Sequence, residues 1–134
     1  MILGFKKKFA NGQLSNFKEK ILEGIKIHTI REDKPKRWRA KRSIQMCYRG
    51  KNYSVLDEFN KGLPHLQRCT GVQEIEIKTH GNQKVIIING RQLGLVEHLL
   101  LAKNDGFEDV HDFYRWFSMV EFKGRIIHWT DYRY

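Results

Sequence analysis

The chain has 134 residues, of which 40% are hydrophobic and 12% aromatic, and its formal net charge is +10. This length and composition predict a single folded domain over residues 1–134. They exclude a membrane span, because no apolar run approaches the ~20 residues that a helix needs to cross a bilayer.

The N-terminal segment and the two cysteines bear on where the protein resides in the cell. The apolar residues at the N-terminus precede its lysines and form no long apolar core, so no signal peptide is expected. Cys47 and Cys69 make neither a disulfide framework nor a metal-ligand cluster. We therefore expect two free thiols in a cytoplasmic protein without a metal or other cofactor.

The charge is unevenly distributed along the chain. Residues 26–51 hold ten Lys or Arg against two acidic residues, whereas residues 97–121 hold six Asp or Glu against two basic ones. Such a polarised field favours a polyanionic partner. We predict that the partner is RNA, single-stranded nucleic acid or a modified nucleoside, and the sequence leaves the oligomeric state open.

The first half of the chain predicts strands around one helix, followed by a basic loop. "MILGFKKKF" is typical of an opening strand. "LSNFKEKILEG" predicts a helix that Ser15 caps and Gly24 ends. Residues 25–31 predict a second strand and residues 32–42 the loop. "SIQMCYRG" predicts a third strand, and a turn at residues 50–52 leads from it into "YSVL". The stretch "DEFNKGLPHLQ" that follows is typical of a loop.

The second half predicts a hairpin, two helices and a final strand. "VQEIEIKTH" and "KVIII" pair across "HGNQ", and Asn89-Gly90 turns the chain into a short "RQL". Helices over "LGLVEHLLLAKNDG" and "EDVHDFYRWFSMV" precede the strand "RIIHWTDYRY". The second helix places Phe113, Trp116 and Phe117 on one face, which we expect to pack in the core.

Strands without regular βαβ alternation predict an α+β fold. We expect a curved antiparallel sheet or a small barrel of about six strands. One helix near the N-terminus and two before the last strand would flank it.

Lys26, Thr29 and Arg31 are the residues most suited to chemistry. A threonine hydroxyl is a weak nucleophile until a base removes its proton, and a lysine whose pKa is lowered by nearby cations or burial can be that base. A carboxylic acid from elsewhere would complete the set. In a regular strand, however, residues three apart point to opposite faces, so Lys26 and Thr29 can share a pocket only if the strand is interrupted between them.

Two segments resemble motifs of the ASCH-domain family. "FKEKILEGIKIHTIRED" is similar to its opening motif, a helix ending in Gly before a Lys-x-x-Thr-x-Arg strand. "LAKNDGFEDVHDFYRWF" followed by "FKGRIIHW" is similar to its close, and the resemblance spans roughly residues 1–131. It implies a PUA-like β-barrel with flanking helices, a fold associated with RNA binding.

The resemblance also implies a chemistry. Some small ASCH proteins are amidohydrolases that act on N(4)-acetylcytidine with a lysine, a threonine and a glutamate, which correspond here to Lys26, Thr29 and Asp105. Asp105 is one methylene shorter than that glutamate, and Glu108 is a nearby alternative at a helix start. In the enzyme interpretation Arg31 orients the ligand or holds the strand.

The basic loop supports a second interpretation, a binding module without catalysis. Here Trp38 would stack a base. The loop cations would follow a nucleic-acid backbone: Lys34, Lys36, Arg37, Arg39, Lys41 and Arg42. A ribonuclease, proposed for other relatives, ranks third because the sequence reveals no metal site or acid–base pair for it.

Overall fold

The computed structural model describes residues 1–49 and 57–134. The predicted turn at 50–52 and the segment "YSVL" into which it leads lie outside these described residues. Within them are three helices, α1 (Phe17–Leu22), α2 (Leu95–Asn104) and α3 (Val110–Trp116). The strands are β1 (Ile2–Lys6), β2 (His28–Arg31), β3 (Gln45–Arg49), β4 (Asp57–Glu58), β5 (Gly71–His80), β6 (Gln83–Ile88), β7 (Arg91–Gln92) and β8 (Glu121–His128).

The mixed α+β class and the positions of the three helices are as predicted. The larger sheet has the order β2-β8-β5-β6-β7, and all of its strand pairs are antiparallel. Its hairpins turn at the expected places: Gly81 has a φ of 60°, and Asn89 and Gly90 have φ values of 48° and 80°. These positive values suit the tight turns that asparagine and glycine favour.

The smaller sheet departs from the antiparallel prediction. It has the order β1-β3-β4, and β1 pairs with β3 in parallel. A parallel pair requires a long crossover, which α1, β2 and the basic loop supply. No closed barrel is found in the described part of the chain, where the strands form two separate sheets.

Several element boundaries differ from the prediction. β2 begins at His28 instead of residue 25, and β8 ends at His128 instead of running to the last residues. A short strand, β4, and a 3₁₀ turn at Pro64–Leu66 occupy part of the stretch predicted as a loop. The residue that caps α1 is Asn16, while the Ser15 hydroxyl accepts a 3.4 Å hydrogen bond from the first helical N–H.

One hydrophobic cluster joins side chains of both sheets and all three helices. Its fully buried members come from most elements: Phe5, Ile21, Met46, Ile75, Ile77, Ile86, Leu101, Phe113 and Ile126. Phe113 and Phe117 pack in this core as predicted, but Trp116 is 37% exposed and lies outside it. None of the described helices has the length and apolar character needed to cross a membrane.

Candidate active site

Lys26, Thr29 and Asp105, the three predicted catalytic residues, line one cleft. The cleft has a volume of about 660 Å³ and lies between the end of β1, α1, the start of β2 and the segment that follows α2. Small-molecule sites in proteins commonly occupy ≈ 300–1,000 Å³. The cleft is therefore large enough for a ligand that extends beyond the three side chains.

The late start of β2 explains how Lys26 and Thr29 reach the same cleft. Lys26 precedes the strand, and its backbone N–H bonds to the carbonyl of Lys20, not to a neighbouring strand. The N–H of Ile27 bonds to the carbonyl of Asn104, at the end of α2. The alternation of side chains between the two faces of a strand begins only at His28. Lys26 and Thr29 therefore do not have to point to opposite faces, as they would in one continuous strand.

The turn after α2 brings the carboxylate of Asp105 to Lys26. Asp105 caps the C-terminus of α2, and the Lys26 ammonium donates to both its backbone carbonyl and its Oδ1, the latter at 3.0 Å. An aspartate is thus long enough to reach this lysine. Glu108 is not the alternative, because its side chain is 82% exposed, lies 3.8 Å from Lys20 and does not line the cleft.

Gly106 allows the turn and the lysine to occupy the same space. Its φ of 95° favours glycine, and a Cβ at this position would lie 2.9 Å from Cδ of Lys26 and 3.0 Å from the Phe17 ring. Any larger residue would displace one of them. Gly106 therefore ends α2 and, because it has no side chain, also leaves the space that the methylene groups of Lys26 occupy.

Burial lowers the pKa of Lys26 from 10.5 to about 8. The side chain is only 2% exposed, and its Nζ lies 4.7 Å from the centre of the Phe17 ring and 5.7 Å from that of Phe5. Loss of hydration disfavours the ammonium form. Asp105 opposes this effect and raises the pKa, whereas the positive charges of Arg31 and Lys20 lower it further.

Arg31 fixes the orientation of Thr29. Its Nε donates to the Thr29 Oγ1 at 3.2 Å, and its Nη2 donates to the carbonyl of Gly4 at 2.7 Å. Because Oγ1 accepts this bond, the hydroxyl proton of Thr29 remains available for donation to a base. Thr29 is buried beside the cleft, so the geometry suits a hydroxyl that acts as a nucleophile.

A buried histidine lies beside the Asp105 carboxylate, and a tyrosine bonds to that histidine, which the sequence did not reveal. Nδ1 of His28 lies 3.3 Å from Oδ1 of Asp105, and Nε2 of His28 bonds to the Tyr134 hydroxyl. That hydroxyl also accepts from the Asn104 side-chain amide at 3.1 Å. Burial lowers the pKa of His28, which therefore stays neutral and leaves Lys26 as the cation facing Asp105. The only sequence signal was the position of His28 between Lys26 and Thr29.

The basic loop does not line this cleft. Asp33 anchors it, since its carboxylate accepts from the backbone N–H groups of Arg37 and Trp38 and forms a 2.9 Å ion pair with Arg125. Five of the six loop cations are exposed and Arg42 is half-buried. Arg31, at the end of β2, lines the cleft, but no residue of the loop does.

Trp38 does not fit the predicted base-stacking role. It is 5% exposed and belongs to the hydrophobic core. The two hydrogen bonds that the Asp33 carboxylate accepts from backbone N–H groups fold the loop back, so that the indole packs inward while the neighbouring cations stay in solvent. The aromatic residue exposed at the cleft is Trp116.

Three adjacent lysines that the sequence analysis did not single out also line the cleft. Lys6, Lys7 and Lys8 follow one another at the end of β1 and are exposed. The Nζ of Lys6 lies 5.7 Å from the centre of the Trp116 ring. Their place could not be read from the sequence, because it depends on the pairing of β1 with the distant β3.

The described residues include no group of three or more His, Cys, Asp or Glu side chains arranged to hold a metal ion. Comparison of the chain with protein-family models, with curated proteins and with solved structures finds no match.

Proposed function

We propose that the protein is an amidohydrolase that removes the acetyl group from N(4)-acetylcytidine, in a domain related to the ASCH and PUA-like proteins. The observation that carries the proposal is the convergence of Lys26, Thr29 and Asp105 in one cleft. The lysine in this set is buried and has a pKa of about 8, so a useful fraction of it is the neutral base near physiological pH.

The proposed reaction begins with Lys26 as the base. Neutral Nζ of Lys26 takes the hydroxyl proton of Thr29, and Oγ1 forms a bond to the acetamide carbonyl carbon while the carbonyl π bond breaks and leaves its electron pair on oxygen, to be restored when the amine departs. The C–N bond to the cytosine amine then breaks, and the amine receives a proton through the Lys26–Asp105 pair. Water, activated by the same lysine, hydrolyses the acetyl ester, so that acetate leaves and the threonine hydroxyl is restored.

The other residues of the cleft have supporting roles in this scheme. Arg31 holds Oγ1 of Thr29 in place, and the neutral His28 holds the Asp105 carboxylate toward Lys26. The aromatic rings of Phe17, Phe107 and Trp116 line the space that the base would occupy. Such walls exclude water and favour a planar ligand.

The test is acetate release from N(4)-acetylcytidine by the purified protein. We expect turnover by the wild type, loss of at least about a hundredfold in kcat/KM for Lys26→Met, and no detectable turnover for Thr29→Val. Thr79→Val, a change of the same kind outside the cleft, should retain activity. Absence of turnover by folded wild-type protein would refute the proposal.

Single-stranded nucleic-acid binding by the basic loop is a second candidate function. The observation that favours it is a row of exposed cations on a segment that Asp33 and Arg125 anchor. If four to six of these cations contact phosphates, log affinity should fall with log salt at a slope of roughly −3 to −4. Thr29→Val should leave this binding unchanged, whereas unchanged binding after neutralisation of the loop would exclude it.

A further inference from the structure

The charged groups of the cleft are strongly unbalanced. Five cationic side chains line it, Lys6, Lys7, Lys8, Lys26 and Arg31, against the single carboxylate of Asp105. That carboxylate lies deep in the cleft and is already paired with Lys26. The excess positive charge therefore belongs to the exposed end of the cleft.

The three lysines at this end form no ion pair within 4 Å among the described residues. Other cations in the described part of the chain do form such pairs, among them Lys20 with Glu108, Arg91 with Glu97 and Arg125 with Asp33. Three adjacent ammonium groups repel one another, and a cleft with apolar walls concentrates their field. An anionic group bound among them would relieve that repulsion.

The chemistry of the cleft changes from its depth to its mouth. Lys26, Thr29 and Asp105 are buried at its deep end. Phe5, Phe17 and Phe107 are buried along its walls, and Trp116 lies exposed beside Lys6. A ligand that matches this order has a reactive group at one end, an aromatic ring in the middle and an anion at the other end.

We propose that the cleft binds its cytidine derivative in phosphorylated form, with the phosphate held by Lys6, Lys7 and Lys8 and the base between the aromatic side chains. This inference rests on the proposed function for the identity of the base. A phosphate monoester carries up to two negative charges and accepts several hydrogen bonds, which suits three flexible ammonium donors. The free nucleoside leaves these cations without a counter-charge.

The experiment measures binding of cytidine, of cytidine 5′-monophosphate and of a short single-stranded oligocytidylate by titration calorimetry. These ligands need no hydrolysis, so the result is independent of whether the protein releases acetate. The test variant is Lys6→Gln/Lys7→Gln/Lys8→Gln. The matched control is Lys61→Gln/Lys103→Gln/Lys123→Gln, which removes the same charge from exposed lysines outside both the cleft and the basic loop.

We expect the monophosphate to bind wild-type protein about tenfold or more tightly than cytidine. The test variant should reduce this preference to within about twofold, and the control variant should keep it. The affinity for the oligocytidylate identifies the source of the phosphate. An affinity equal to that for the monophosphate indicates that the ligand is a free nucleotide. A higher affinity that depends on the same three lysines indicates that the ligand is a nucleic-acid strand.

Three results would overturn the inference: equal affinity for cytidine and its monophosphate, a preference that survives in the test variant, or no binding of any of the three ligands. The proposed function fails separately, through absence of acetate release from N(4)-acetylcytidine by the folded wild-type protein. A phosphate preference that depends on Lys6–Lys8 would still support the inference in that case. Both variants should unfold at temperatures within a few degrees of the wild type.

Discussion

The pKa of Lys26 can be tested without any knowledge of the substrate, by changing the two charges that act on it most directly. Asp105 raises this pKa and Arg31 lowers it, while burial lowers it most of all. Asp105→Asn should therefore move the pKa below about 8, and Arg31→Gln should move it above that value. The geometry of the cleft thus predicts that these two substitutions shift the pKa of Lys26 in opposite directions.

The magnitude follows from the difference between a pKa of 10.5 and one of about 8. It corresponds to about 3 kcal/mol of preference for the neutral amine. At pH 7 about one lysine in ten would then be neutral, against about one in three thousand for an unperturbed side chain. Burial thus raises the concentration of the proposed base by roughly two to three orders of magnitude.

The assay is the pH titration of the lysine ¹³Cε signals by NMR, with Lys26 assigned by its absence from the spectrum of Lys26→Met. A titration midpoint near pH 10.5 in the wild type would refute the reasoning. So would a shift of the two variants in the same direction, because then the charges of Asp105 and Arg31 would not control the amine.

The same shift has a consequence for stability, with a defined sign. The pKa of Lys26 is lower in the folded protein, so between about pH 8 and 10.5 the unfolded chain binds more protons at this residue. Stability gained from this group therefore rises with pH through that window. Below about pH 8 both states are protonated and the folded state carries the whole cost. Urea denaturation at several pH values should show this rise in the wild type and not in Lys26→Met.

Three further substitutions test the surroundings of the site. Gly106→Ala should lower the free energy of unfolding by about 2–4 kcal/mol in urea denaturation, because it adds a clash to an unfavourable φ. Gly90→Ala is the control: its φ of 80° is also unfavourable but the space around it is open, so it should cost only about 1–2 kcal/mol. Equal costs for the two variants would contradict the steric argument. Asp33→Ala should cost about 2–4 kcal/mol, since it leaves two backbone N–H groups without their acceptor and removes one of the acceptors of Arg125, which keeps Glu74 and the carbonyl of Trp38. Burial alone would raise the pKa of Asp33, but these partners lower it overall, so wild-type stability should fall as the pH drops below about 3.8 and the variant should not show this loss. Tyr134→Phe should lower stability by about 1–2 kcal/mol in thermal unfolding, because Nε2 of His28 loses its partner, and an unchanged midpoint would contradict this.

Local sequence signals were enough to predict much of the fold. The Asn89-Gly90 turn depends on backbone preferences of two adjacent residues, and Gly24 and Gly106 end their helices for the same reason. The parallel pairing of β1 with β3 was not predictable in this way, because it is decided by packing between segments about forty residues apart.

In the candidate site, too, local sequence signals predicted some features, and contacts between distant segments decided the others. Lys26 and Thr29 could be selected from the chemistry of their side chains and from the family resemblance. Their convergence could not, since it depends on a hydrogen bond from Ile27 to the distant Asn104 that delays the start of β2. The prediction that Trp38 is exposed was wrong because a tryptophan among six cations is typical of an exposed loop. No local sequence pattern indicates that Asp33 accepts a hydrogen bond from its backbone and turns the side chain inward.

The pairing of Lys26 with Asp105 also has a meaning for how the chain folds. The two residues are 79 positions apart, and the elements between them include β5, β6 and α2. Closing so long a loop costs entropy that only the packing of those elements can offset, and contacts of this kind form late. Asp105 itself raises the pKa of Lys26, so the lowered value comes from burial, and that burial is complete only when the turn at Gly106, after α2, packs against the lysine side chain. In a refolding experiment, the appearance of a lysine amine that is neutral near pH 8 would mark the final assembly of the domain. It should come after the signals of secondary structure have reached their native values.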